Sequence, residues 1–84
     1  MTPVKKKVRD PDIEDILVHL GFIHEEPVMS CRKYKDKELR LYKVFNCVVD
    51  EKTKRSYSSH EIVMELLGCD ADAAWAYLAK HDLM

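Results

Sequence analysis

The sequence predicts an α+β domain: an N-terminal helix, a small antiparallel sheet of two to three strands, and a C-terminal pair of helices. Three observations carry this. Ile13, Ile16, Leu17 and Leu20 recur at i, i+3, i+4 and i+7, one apolar stripe of a helix. The run LRLYKVFNCVV, Leu39 to Val49, is rich in β-branched and aromatic residues, and most of its apolar side chains share one parity. Two further apolar stretches flank Gly68 at helical spacing.

The first helix begins near Asp10–Asp12. Pro11 suits its first turn, and Asp12, Glu14 and Asp15 complement the positive end of its dipole. Gly21 is placed to end it in the left-handed conformation, with Phe22 and Ile23 as a hydrophobic anchor beyond. Glu25, Glu26 and Pro27 mark a loop, Val28 to about Tyr34 a strand, and Lys35–Asp36–Lys37–Glu38 a polar turn. Leu39 to Val49 then pairs back as one long strand, Asp50–Lys54 turns the chain, and Arg55–Tyr57 adds a short third strand. Ser58 with Glu61 has capping-box spacing for a helix whose apolar face is Ile62, Val63, Leu66 and Leu67. Gly68 stops that helix, and Asp70 caps a last one from Ala71 to about Lys80.

With 84 residues, the chain is one domain, residues 10–84, preceded by a flexible basic tail, residues 1–9, that carries Lys5, Lys6 and Lys7. No apolar run is long enough to span a bilayer, and no secretory signal pattern is present. Cys31, Cys47 and Cys69 are odd in number and widely spaced, which speaks against a disulfide framework and for a cytoplasmic, reducing setting. Convergence of Cys31, Cys47 and His60 on a metal is left open, but no Cys-x-x-Cys or His-x-x-x-His clip accompanies them, so neither metal nor cofactor is expected.

The net charge of -1 hides a strong asymmetry. Residues 1–30 carry four basic and six acidic groups, residues 31–57 nine and four, and residues 58–84 one and five. Local clusters set the field more than the total does. The basic middle offers Arg32, Lys33, Lys35, Lys37, Arg40 and Lys43 on a hairpin, and Lys52, Lys54 and Arg55 on the following loop, as contacts for nucleic-acid phosphates. Tyr34, Tyr42 and Tyr57 are interleaved with them as stacking surfaces for bases. The alternative is a protein-binding module, an inhibitor, adaptor or homodimer, acting through Trp75, Tyr77 and Asp72 of the acidic, aromatic last helix. An enzyme is not expected: His60 with Glu61, or Cys31, has no triad spacing or glycine loop around it.

Residues 58–81, SSHEIVMELLGCDADAAWAYLAKH, form two short helical segments across Gly68–Cys69–Asp70, a helix-turn-helix-like wording. Together with the preceding VVDEKTKRSYSS, this stretch resembles the strand-plus-helix-turn-helix modules in the DNA-binding tails of homing endonucleases, over residues 44–81. The resemblance implies Val63, Leu67, Ala74 and Tyr77 as core, Gly68 as the turn and Ala71 to Lys80 as a recognition helix. Two residue choices depart from the pattern. Met64 stands where the motif wants a small side chain, and the last helix offers Asp70 and Asp72 with only Lys80 as a cation, which phosphates repel.

Overall fold

The computed structural model describes residues 11–25 and 28–83. In these, the chain is α+β, with three helices and a five-stranded antiparallel sheet. The order is α1 (Ile13–His19), β1 (Ile23–Glu25), β2 (Val28–Ser30), β3 (Leu39–Tyr42), a 3-10 turn (Lys43–Phe45), β4 (Cys47–Asp50), β5 (Ser56–Tyr57), α2 (Ser59–Leu67) and α3 (Ala71–Lys80). The strands lie in sequence order, β1-β2-β3-β4-β5, a simple meander. The tail expected over residues 1–9 lies outside the described residues.

The sheet departs from the two to three strands expected. Leu39–Val49 is not one strand but a hairpin, closed by the 3-10 turn and by Asn46 at φ 52°, ψ 47°. Leu39 pairs with Asp50, Arg40 with Val49, Leu41 with Val48 and Tyr42 with Cys47. The turn flips the parity, so Leu39, Leu41, Val48 and Asp50 are buried while Val44 and Phe45 point to solvent. The strand expected over Val28–Tyr34 stops at Ser30, and residues 31–38 form the connection to β3. β1 was not anticipated. Its Ile23, expected as an anchor beside Phe22, is 63% exposed, whereas Phe22 is buried and stacks on Tyr34 with centroids 5.8 Å apart.

One face of the sheet is the core face. Met29 lies opposite Leu39, and Leu41, Val48 and Tyr57 form a row across β3, β4 and β5. These buried side chains form one cluster with Ile13, Ile16 and Leu17 of α1, Ile62 and Val63 of α2, and Ala74 and Leu78 of α3. Each helix is short and depends on that packing, since an isolated helix of this length is marginal in water.

Local chemistry places the helix ends. The Asp12 carboxylate accepts hydrogen bonds from the Glu14 and Asp15 backbone N–H groups at the start of α1. The Ser58 N–H donates to Glu61 Oε1 at 3.0 Å, one limb of the capping box at the start of α2. Gly68 ends α2 in the left-handed region, φ 65°, and the Asp70 carboxylate accepts from the Ala73 N–H at 2.8 Å to open α3. Leu67, expected in the core, is 37% exposed, because the buried face of α2 is carried by Ile62 and Val63 one turn earlier.

Candidate nucleic-acid interface

The antiparallel register puts both basic connections at the same end of the sheet. The β2–β3 connection enters β3 at Leu39, which pairs with Asp50, where the β4–β5 turn leaves β4. The Glu51 N–H donates to the Glu38 carbonyl at 2.9 Å, joining the two segments directly. The turn is built on Asp50, whose side chain is buried. Its Oδ1 accepts from the Lys52 and Thr53 N–H groups at 2.8 and 3.3 Å. Its backbone N–H donates to the Arg55 carbonyl and its carbonyl accepts from the Lys54 N–H. Such an Asx-type turn satisfies the backbone locally and leaves the following side chains outside.

The nine cations named from the sequence separate into two groups. Arg32, Lys33 and Lys35 on one connection, and Lys52, Lys54 and Arg55 on the other, are exposed. Among the described residues, none of these six has a carboxylate within ion-pair distance. Lys33 lies 5.4 Å from the Tyr34 ring centroid and Arg55 5.6 Å from that of Tyr57, contacts that leave the charge available.

The other three are held in ion pairs. Lys37 Nζ lies 3.1 Å from Glu65 Oε2 and 3.8 Å from Asp50 Oδ2, with its side chain 20% exposed. Its hydrogen bond to Glu65 raises its pKa. Arg40 Nε donates to Glu51 Oε2 at 2.8 Å, which lowers the pKa of Glu51 and raises that of Arg40. Lys43 Nζ lies 3.0 Å from Glu14 Oε1 and lowers the Glu14 pKa, mainly by that hydrogen bond. Lys43 also stands on the β3–β4 turn, at the opposite end of the sheet.

The tyrosines do not form the stacking surface expected of them. Tyr57 is a buried core residue, and Tyr34 is half-buried against Phe22. Tyr42 is exposed but sits at the far end with Lys43. On α3, Asp72 is exposed, while Trp75 and Tyr77 are half-buried and face different neighbours. Trp75 stacks on His60 of α2 (4.8 Å, 18°). Tyr77 lies against His81 (4.3 Å) and His19 of α1 (5.9 Å). Two residues of helical spacing separate their directions, so α3 presents no continuous aromatic patch.

Sequence reasoning missed Asn46 and the residues before it. Asn46 Nδ2 donates to the Pro11 carbonyl at 2.8 Å, and its Oδ1 accepts from the Ile13 N–H at 2.9 Å. Val44 and Phe45, on the turn it closes, are 91% and 75% exposed. A lone amide in an otherwise apolar run was the signal available, since Asn tolerates the left-handed conformation that most residues avoid.

The cysteines form no disulfide. The buried Cys31 thiol donates to the Leu20 carbonyl at 3.8 Å. Cys31, Cys47 and His60 do not converge: among the described residues, no three His, Cys, Asp or Glu side chains are grouped to hold a metal ion. Glu61 is occupied as the helix cap, and its hydrogen bond from the Ser58 backbone lowers its pKa. No described helix is long and apolar enough to cross a membrane. Comparison with protein-family models, curated proteins and solved structures found no match.

Proposed function

We propose that this chain is a non-catalytic binding module that holds a nucleic-acid backbone against the basic end of its sheet. The observation that carries the reading is the placement of Arg32, Lys33, Lys35, Lys52, Lys54 and Arg55 on two connections at one end of the sheet, six exposed cations with no carboxylate within ion-pair distance among the described residues. A phosphate chain approaching that end meets positive charge from two connections already fixed to each other, so little ordering cost opposes binding. The paired cations Lys37, Arg40 and Lys43 serve the fold in this reading. The resemblance of residues 44–81 to homing-endonuclease tail modules agrees with such a partner, with one change of emphasis. The phosphates are met by the connections, because Asp70 and Asp72 at the start of α3 repel them.

The test is fluorescence anisotropy with labelled single-stranded DNA, duplex DNA and RNA across a salt series. Engagement of four to six phosphates gives a slope of log affinity against log salt between about −3 and −5. Lys35→Glu with Lys54→Glu weakens binding and flattens that slope, while Lys80→Glu on α3 leaves both unchanged. Absence of binding to all three probes at low salt overturns the reading, as does a salt slope indifferent to Lys35 and Lys54.

A protein-contact module is the second reading, and a specific feature favours it: Val44 and Phe45 project from a turn anchored by Asn46 at the end of the sheet away from the six cations. Trp75, Tyr77 and Asp72 contribute less to that reading, because both rings are already packed against histidines. Light scattering with native chain and Phe45→Ser separates self-association through this turn from a monomer.

A further inference from the structure

His19 and His81 are 62 positions apart in sequence, yet their ring centroids lie 4.8 Å apart, with the planes tilted by 48°. Both side chains are exposed. Neither imidazole takes part in a hydrogen bond or ion pair among the described residues, so the ring nitrogens of both are uncommitted. His24, by contrast, is bonded through Nδ1 to Glu14, and His60 lies flat on Trp75.

The backbone under the pair is held firmly. His19 closes the last turn of α1, where the Leu20 and Gly21 N–H groups donate back to Ile16 and Val18. His81 caps α3, its N–H donating to the Tyr77 carbonyl at 3.1 Å. The next two residues are also tied down, Asp82 N–H to Ala79 and Leu83 N–H to Leu78. Tyr77 fills the third side of the pair, 4.3 Å from the His81 ring.

We propose that His19 and His81 form a two-imidazole site for a late first-row divalent ion such as zinc or nickel, joining the C-terminal ends of α1 and α3. An imidazole nitrogen lies about 1.1 Å from its ring centre and bonds such a metal at about 2.0–2.1 Å, so two rings on one ion at ligand angles of about 90–110° have centroids about 4.5–5.2 Å apart. The observed 4.8 Å falls within that interval. Imidazole suits zinc, nickel and copper rather than magnesium or calcium. With two protein ligands, the remaining coordination positions face solvent, which makes this an exchangeable site and not a buried structural one. It is independent of the phosphate-binding reading, since it uses neither the basic connections nor their residues.

The experiment titrates the untagged chain with zinc chloride by calorimetry, and with nickel chloride while ring proton resonances are followed by NMR. Saturable binding of one ion is expected, with the His19, Tyr77 and His81 ring signals broadened by nickel before those of His24 and His60. His19→Gln and His81→Gln each weaken binding at least about tenfold, and His24→Gln leaves it unchanged. Both variants replace exposed side chains, and circular dichroism verifies that they fold. Binding that survives His19→Gln and His81→Gln, or no saturable binding, overturns the proposal.

Discussion

Asn46 shows how much one side chain can decide. Its backbone occupies the left-handed region, which costs a non-glycine residue roughly 1–2 kcal/mol and costs Asn less than most. Its amide then joins the β3–β4 turn to the start of α1. It donates to the Pro11 carbonyl and accepts from the Ile13 N–H, one of the donors that the first turn of α1 leaves without a helical partner. Asn46→Ala removes both bonds and adds backbone strain, so a loss of about 2–3 kcal/mol in urea denaturation is expected. Asn46→Gly relieves the backbone but still lacks the amide, and Asn46→Asp keeps the acceptor for Ile13 while losing the donor to Pro11. Both fall between native and Ala. An Ala variant as stable as native would mean that the turn holds its shape without this anchor.

At the scale of elements, the α2–α3 pair invites a similar dissection. Gly68 adopts φ 65°, and a Cβ built there meets nothing within 4 Å. Gly68→Ala therefore costs only the backbone preference, about 1–2 kcal/mol, with Gly68→Asn closer to native. Thermal denaturation of the two variants checks this order. A loss well above that size in Ala would point to packing at this position instead. These helices were legible because caps and stops are local chemistry: Ser58, Glu61, Gly68 and Asp70 act within a few residues of themselves. The sheet was not so legible. The turn Lys43–Asn46 contains no Gly or Pro and sits inside a run of strong β-formers, so alternation read through it as one strand. β1 is three residues long with two of them exposed, and its pairing with β2, not its own composition, holds it. The basic character of the candidate interface was visible as composition. Which cations remain available was not, because the carboxylates that hold Lys37 and Lys43 come from α2 and α1, far along the chain.

Those same pairs tie the molecule together, and they govern how its stability responds to pH. Glu14 links α1 to the β3–β4 turn through Lys43, Glu51 holds Arg40, and Glu61 caps α2. All three carboxyls are lowered from their ordinary value of 4.5, by the Lys43 hydrogen bond, the Arg40 hydrogen bond and the Ser58 backbone respectively. Each therefore contributes stability that is fully present above 4.5 and is lost as pH falls through its lowered value in the folded state. Lys37 works in the opposite sense. Its hydrogen bond to Glu65 raises it above 10.5, so its contribution is present below that pH and is lost as pH rises through the raised value. Urea-denaturation midpoints measured across pH should accordingly hold a plateau through neutrality and fall on both flanks. Glu14→Gln lowers the plateau and makes the acid flank shallower, because one of the protons taken up on acid unfolding has been removed from the balance. Lys37→Met likewise lowers the plateau and makes the alkaline flank shallower. An acid flank of unchanged steepness in Glu14→Gln would show that the Glu14 contacts to Lys43 and His24, although formed, add nothing to folding, as exposed ion pairs often do.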